Sequence, residues 1–191
     1  LDSKHKLDLS HYLVRSEFLI KLNYLYQNTK VVFIGTTGNT AREMYSFMPS
    51  TSNFYMAGNM GGALSLGLGS AMAGKKVIVC GGDAEFVMHM GGLTTAGRYR
   101  ESIDLTYMLF DNESNKSTGG QNTYQNHVDY KSIAQASGFN VIGNNILKLN
   151  DFTKTINKFK KTKGLKFMHL KCGIDHETPR PPLEVIKVNK I

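Results

Sequence analysis

Three short clusters combine residue types that could hold a charged ligand: Gly35-Thr36-Thr37-Gly38, Gly81-Gly82-Asp83-Ala84-Glu85 and Asp111-Asn112-Glu113-Ser114. The first offers backbone N–H groups and two hydroxyls just ahead of a helical pattern, which suits a phosphate. It is no P-loop, because GTTGNT lacks both the spacing and the lysine. The second sets a carboxylate between a glycine pair and a helix start, and the third adds an amide oxygen. Alone, each has an ordinary explanation: threonines in a turn, an aspartate capping a helix, an asparagine in a bend. Together, a carboxylate, an amide oxygen and a nearby backbone carbonyl are hard oxygen donors of the kind Mg²⁺ accepts alongside phosphate oxygens.

These clusters can act jointly only if the fold brings them to one place. Each follows a short apolar run, at residues 31–34, 77–80 and 105–110, rich in β-branched or aromatic side chains and too short for a helix. Helical spacing of apolar residues predicts helices over 12–26, 40–48, 60–73 and 85–96. In 60–73, rich in Gly, Ala and Leu, small residues allow close packing. Residues 111–126 read as a long polar loop, of the length that often carries function. The rest repeats the alternation: a helix over 130–137, a short strand near Val141, a basic helix over 151–161 and a strand over 165–170. Strands alternating with helices predict a three-layer α/β/α fold with a mostly parallel sheet, whose ligands lie beyond the carboxyl ends of the strands.

Composition is consistent with one globular domain over residues 11–191, preceded by a polar linker or tail over 1–10. No apolar run reaches membrane-spanning length. The net charge of +8 arises largely from lysines in the last third, including Lys154, Lys158, Lys160, Lys161, Lys163 and Lys166. They are read as a solvated helix face, and the aromatic or groove-reading partners of a nucleic-acid surface are not found among them. Neither nucleic acid nor membrane is expected as a partner. Cys80 and Cys172 sit in apolar runs and read as reduced core thiols of a cytoplasmic protein. The chain begins at Leu1 without a methionine, so a piece of something longer is expected.

The arrangement Gly82-Asp83-Ala84, followed a few tens of residues later by Asp111-Asn112, resembles the GDG…NN signature of thiamine-diphosphate enzymes. Ala84 replaces the last glycine and Asp111 the first asparagine. Residues 54–73, FYMAGNMGGALSLGLGSAMA, look like the segment beneath the thiazolium ring. TTGNTARE (36–43) and STGGQ (117–121) narrow the likeness to phosphonopyruvate decarboxylases and, slightly less, to β subunits of sulfopyruvate decarboxylases. The resemblance extends over about residues 16–180. It implies thiamine diphosphate and Mg²⁺ as cofactors, and decarboxylation of a 2-oxo acid, with 3-phosphonopyruvate the first choice of substrate.

By the resemblance, Asp83, Asn112 and the Ser114 carbonyl bind the metal. Thr36, Thr37, Gly58, Met60, Gly82, Asp83, Ala84, Glu85, Asn112 and Ser114 face the cofactor, Met60 bending it. For the substrate's phosphonate, Ser117, Thr118 and Gln121 are candidates, and Lys116 could add charge; equally, they could only order their loop. The resemblance also implies a glutamate that activates the aminopyrimidine, carried on a pyrimidine-binding domain or subunit. That domain is not found in this chain, and neither Glu85 nor Glu113 is assigned the role. A homo- or hetero-oligomer follows.

Two rival readings compete with this one. Gly67 and Gly69 form part of a dinucleotide fingerprint but fall inside an apolar helix rather than after a strand. The other rival is a non-catalytic domain that only binds the cofactor or a partner.

Overall fold

Side chains alternate along the central strands, and both faces they create are apolar. In β3 (Lys76–Gly82), Val77 and Val79 enter one buried cluster while Ile78 and Cys80 enter another. β4 (Asp104–Asp111) divides in the same way, with Leu105, Tyr107 and Leu109 against Met108 and Phe110. So does β8 (Gly164–Lys171), with Leu165 and Phe167 against Met168 and Leu170. Strands buried on both faces belong in a parallel sheet with helices on each side. The computed structural model, which describes residues 8–144, 146–174, 176–182, 184 and 189, has that form. With β1 (Val32–Gly35), β2 (Asn53–Tyr55) and β7 (Asn140–Val141), these strands form a six-stranded parallel sheet of order β2-β1-β3-β4-β8-β7.

Helices α1 (Arg15–Leu25), α2 (Asn39–Phe47) and α7 (Leu149–Phe159) cover one face through Phe18, Leu22, Met44, Phe152 and Ile156. The other face is covered by α3 (Ala63–Met72), α4 (Asp83–Met88), α5 (Gly91–Arg98) and α6 (Tyr130–Ala136), through Leu64, Leu68, Phe86, Leu93 and Ala134. The three predicted layers are present. Close packing of α3 depends on Gly67, where an added Cβ would meet Val79 Cγ2 at 2.5 Å.

The chain leaves β1 through α2 to reach β2 at the sheet edge, then returns through α3 on the opposite face to β3, on the other side of β1. This reversal opens a crevice at the carboxyl ends of β1 and β3, where open α/β sheets bind ligands. Gly35 pairs with Cys80 and Gly82 with Phe110, so the ends of β1, β3 and β4 lie side by side.

Several expectations need correction. The helix predicted over 85–96 is two helices, broken at His89 and Met90. The His89 ring bonds the Gly61 carbonyl oxygen through Nδ1 at 2.6 Å and packs over Gly92. Gly91 and Gly92 give poor helical continuity. Helix α3 starts at Ala63, leaving Met60 in the preceding turn. The edge strand β2 was not expected at all. Lys166 is no solvated helix residue: it lies in β8, 2% exposed, and donates to Asp104 Oδ1 at 2.9 Å and to the carbonyls of Thr162 and Gly164. The polar loop contains a small hairpin, β5 (Ser114–Asn115) with β6 (Gln121–Asn122), around the 3-10 turn Lys116–Thr118. Of the predicted linker, residues 1–7 lie outside the described residues, and Leu9 is buried. Among the described residues no helix is long and apolar enough to cross a membrane.

Candidate functional site

Asp83 is the first residue of α4, placed there because Gly82 is still extended and Glu85 turns back to accept a hydrogen bond from the Gly82 N–H (3.4 Å). It is 3% exposed, and its Oδ2 accepts a hydrogen bond from Thr123 Oγ1 at 3.0 Å. Burial, reinforced by the nearby Asp111 charge, pushes its carboxyl up to about 6. Among the described residues, no lysine, arginine or histidine forms an ion pair with it.

Glu85 is also buried, and burial raises its carboxyl above the usual range. Its oxygens face the Ala63 N–H (3.4 Å) and the Tyr107 hydroxyl (3.5 Å). Tyr107 can come this close only because position 81 is glycine: a Cβ there would meet its Oη at 2.2 Å. Thr36, at the end of β1, is buried beside Glu85, and its Oγ1 lacks a well-formed hydrogen bond.

The end of β4 is built differently. Asp111 Oδ2 accepts hydrogen bonds from His169 Nε2 and Lys171 Nζ, each at 2.9 Å, and Lys171 also holds Glu113. Burial works to raise the Asp111 carboxyl, but the His169 hydrogen bond and the Lys171 charge outweigh it and hold it below the ordinary range. Glu113 sits at φ +50°, a left-handed conformation uncommon for a non-glycine residue. The bend it makes presents Asn112 and Ser114 to the crevice, where the Ser114 N–H donates to Asn112 Oδ1 at 3.2 Å.

Thr36, Thr37, Met60, Gly82, Asp83, Ala84, Glu85, Asn112 and Ser114 line one cleft, with an inner void of about 40 Å³, room for a water-sized or ion-sized occupant. Arg15, Asn39, Thr40, Asn115, Lys116 and Ser117 complete its wall. Gly58 does not line it. It lines an adjoining cavity of about 270 Å³, and Thr37 is common to both. Met60, 36% exposed, stands in the cleft wall.

Of the loop candidates, Ser117 reaches the cleft, whereas Thr118 and Gln121 are exposed and bonded to each other. Thr118 Oγ1 donates to Gln121 Oε1 at 3.0 Å, and Gln121 Nε2 to the Thr118 carbonyl at 2.9 Å. They serve to order the loop in this conformation.

Sequence reasoning missed the supports. Arg15 makes a buried bidentate pair with Glu43, at 2.7 and 2.5 Å, between α1 and α2, and lines the cleft. His169 and Lys171 brace Asp111 from the next strand. A signal for the second existed: polar residues two apart at a strand's carboxyl end share one face.

Chemically, the cleft gathers hydroxyls, the N-terminus of α4, a buried carboxylate and an amide oxygen. Among the described residues no group of three or more His, Cys, Asp and Glu is placed to hold a metal. A cation here would share its coordination with oxygens of a ligand.

Comparison with known proteins identifies the family. The domain described as "Thiamine pyrophosphate enzyme, C-terminal TPP binding domain" matches residues 34–170. A phosphonopyruvate decarboxylase of Streptomyces viridochromogenes is 33% identical over 138 residues, which cover 72% of this chain and 34% of that protein. A sulfopyruvate decarboxylase subunit beta of Methanothermobacter thermautotrophicus is 42% identical over 106 residues, 55% of this chain and 57% of that subunit. The matches thus span about a third of the first relative and little more than half of the second. In fold, the thiamine diphosphate-dependent 4-hydroxybenzoylformate decarboxylase of Rhodococcus jostii RHA1 superposes with a TM-score of 0.73 at 15% identity, covering 90% of this chain and 34% of that one. The chain belongs to the thiamine pyrophosphate enzymes, matching their C-terminal cofactor-binding domain.

Proposed function

We propose that this chain supplies the diphosphate- and Mg²⁺-binding half of a thiamine-diphosphate-dependent 2-oxo-acid decarboxylase, acting on 3-phosphonopyruvate to give phosphonoacetaldehyde and CO₂. The carrying observation is the convergence of three adjacent strand ends on one cleft, with a buried carboxylate that lacks a cationic partner among the described residues. The residues fit the group. Thr36 Oγ1 is a buried hydroxyl lacking a well-formed hydrogen bond, and Asp83 is held at a raised pKa of about 6, as a carboxylate does when its positive charge is to come from elsewhere.

Thr36, Thr37 and the N–H groups at the start of α4 would hold diphosphate oxygens. Asp83, Asn112 and the Ser114 carbonyl would hold Mg²⁺ together with them. When bound, thiamine diphosphate supplies the electron sink that lets CO₂ leave a 2-oxo acid. Met60 would set the cofactor's shape from the cleft wall, and Gly58 would face it from the adjoining cavity. Lys116 and Ser117 stand where an anionic substrate group would approach; Thr118 and Gln121 shape their loop.

The activating glutamate belongs to a pyrimidine-binding domain or subunit. Both acidic candidates here are otherwise engaged: Glu85 with Ala63, Gly82 and Tyr107, and Glu113 with Lys171. A working homo- or hetero-oligomer follows. A second reading, sulfopyruvate decarboxylase subunit beta, is favoured by the 42% identity to such a subunit.

Calorimetry with thiamine diphosphate, with and without Mg²⁺, is the first test, and Mg²⁺-dependent binding is expected. Assays with a pyrimidine-domain partner then compare phosphonopyruvate with sulfopyruvate. Absence of cofactor binding sinks the proposal; binding without turnover in the reconstituted pair reduces the chain to a cofactor-binding module.

A further inference from the structure

The cavity beside the cleft, which Gly58 shares with the cofactor in the proposed reading, also contains two cationic side chains that the reading leaves without a role. Its walls come from the start of α2, the stretch after β2 and the C-terminal segment, and Arg42 and Arg180 both line it. Neither guanidinium forms a salt bridge or a side-chain hydrogen bond among the described residues. Two like charges at one concavity repel, and an anion with paired oxygens would balance them. Burial and the neighbouring Arg180 charge lower the Arg42 pKa, with Glu177 only partly offsetting them.

The location adds a direction. Thr37 lines both cavity and cleft, and Gly38, at φ +97°, lies so close to Ser117 that an added Cβ would stand 3.0 Å from its Oγ. The Ser117 loop therefore forms part of the partition between the two spaces. That loop was expected to grip the substrate's anionic end, yet Thr118 and Gln121 bond each other and carry no charge. Lys116 is the cation on the cleft side; two further cations stand across the partition.

We propose that Arg42 and Arg180 form an anion subsite that receives the tetrahedral phosphonate or sulfonate end of the 2-oxo acid while its oxo-acid end faces the cleft. This rests on the function proposed above. Guanidinium forks match the paired oxygens of such groups, and a doubly charged phosphonate gains more from two arginines than a singly charged sulfonate does.

The test titrates the full chain with methylphosphonate, methanesulfonate and inorganic phosphate, and separately with thiamine diphosphate and Mg²⁺. Wild type is compared with Arg42→Gln, Arg180→Gln and the charge-keeping Arg42→Lys, each checked by thermal melting. Expected is methylphosphonate binding that weakens about tenfold or more with either Gln variant, the loss of one charge-assisted hydrogen-bonding group. Arg42→Lys should keep most of it, and cofactor affinity should change little in all three. If Arg42→Gln does not fold, Arg180→Gln, at an exposed position, carries the test alone.

No methylphosphonate binding by wild type, or binding indifferent to both arginines, overturns the subsite while leaving the cofactor reading intact. Equal losses of cofactor and methylphosphonate affinity would assign the arginines to the diphosphate and overturn it too. Inorganic phosphate binding far more tightly than methylphosphonate would mark a free-phosphate site and remove the substrate assignment. Arginine-dependent methylphosphonate binding without any cofactor binding would uphold the subsite and sink the cofactor reading instead.

Discussion

Asp83 follows β3 and Asp111 ends the neighbouring β4; both are buried, and they are treated in opposite ways. Asp111 is met by His169 and Lys171 and lies below the ordinary carboxylate range. Asp83 is met by one hydroxyl and the like charge of Asp111, and lies near 6. Burying an unbalanced charge is costly, so folds usually provide a counter-charge. Here the protein provides it on one strand and withholds it on the next. On the proposed reading, Asp111 is structural, shaping the loop that carries Asn112, while Asp83 is left for a cation brought with a ligand.

The sharpest way to break this contrast is to exchange the two carboxylates' fates. Asp83→Ala should reduce Mg²⁺-dependent thiamine diphosphate affinity by about 100-fold or more, comparable with losing a charged ligand to a desolvated ion. Asp83→Asn should do the same while raising the melting temperature of the ligand-free chain. The sign follows from the raised pKa: the charged form, which dominates above about 6, opposes folding at neutral pH, and a neutral amide relieves that by about 1–2 kcal/mol. Asp111→Asn should instead lower the melting temperature. Calorimetry beside thermal denaturation checks all three; unaltered affinity in Asp83→Ala refutes the metal assignment.

Next in size is Lys171→Met. It leaves Asp111 and Glu113 without their shared ammonium; the bridge is only partly buried and Asp111 keeps His169, so the cost should be about 2 kcal/mol, below that of breaking a fully buried pair. Cofactor affinity should fall as well, because the strained Glu113 bend is no longer held in place. Lys171→Arg should recover part of both. Full stability in Lys171→Met by denaturant unfolding would show that the contrast between the two aspartates is overdrawn.

Local signals exposed one half of this contrast and hid the other. Asp83 and Asn112 were legible because each follows an apolar run at a glycine or a turn residue, and parallel strands open on one edge. The layers were equally legible, since Val77 to Cys80 and Leu105 to Phe110 are apolar at every position or nearly so. The supports were not. The Arg15–Glu43 pair, the Lys171 bridge to Asp111 and the Thr123 bond to Asp83 join residues far apart in sequence, and only tertiary packing selects those partners. β2 was missed because Asn53–Tyr55 is three residues long, stabilised by pairing with β1 and by Asn189, whose side chain bonds the Tyr55 backbone. Helix periodicity ran through His89 because one ring bonding to Gly61 leaves no trace in apolar spacing.

A smaller effect is expected at Met60 in the cleft wall. Met60→Ala should lower turnover in the reconstituted enzyme several-fold more than it weakens cofactor binding, because it disturbs shape rather than anchorage. Steady-state rates set against calorimetric affinity separate the two, and an unchanged rate counts against the role.

The smallest effects belong to the loop tip. Thr118→Ala and Gln121→Ala remove an exposed pair of hydrogen bonds that the loop makes with itself, so stability should move by no more than about 0.5 kcal/mol. Their influence on substrate should be indirect, a modest rise in KM from a looser Ser117, with kcat nearly kept. If either variant raises KM as strongly as Arg42→Gln, the pair must release each other to grip the anion themselves. The loop would then have a second conformation, and electrostatic work now assigned to the arginines would pass in part to neutral hydrogen-bond donors.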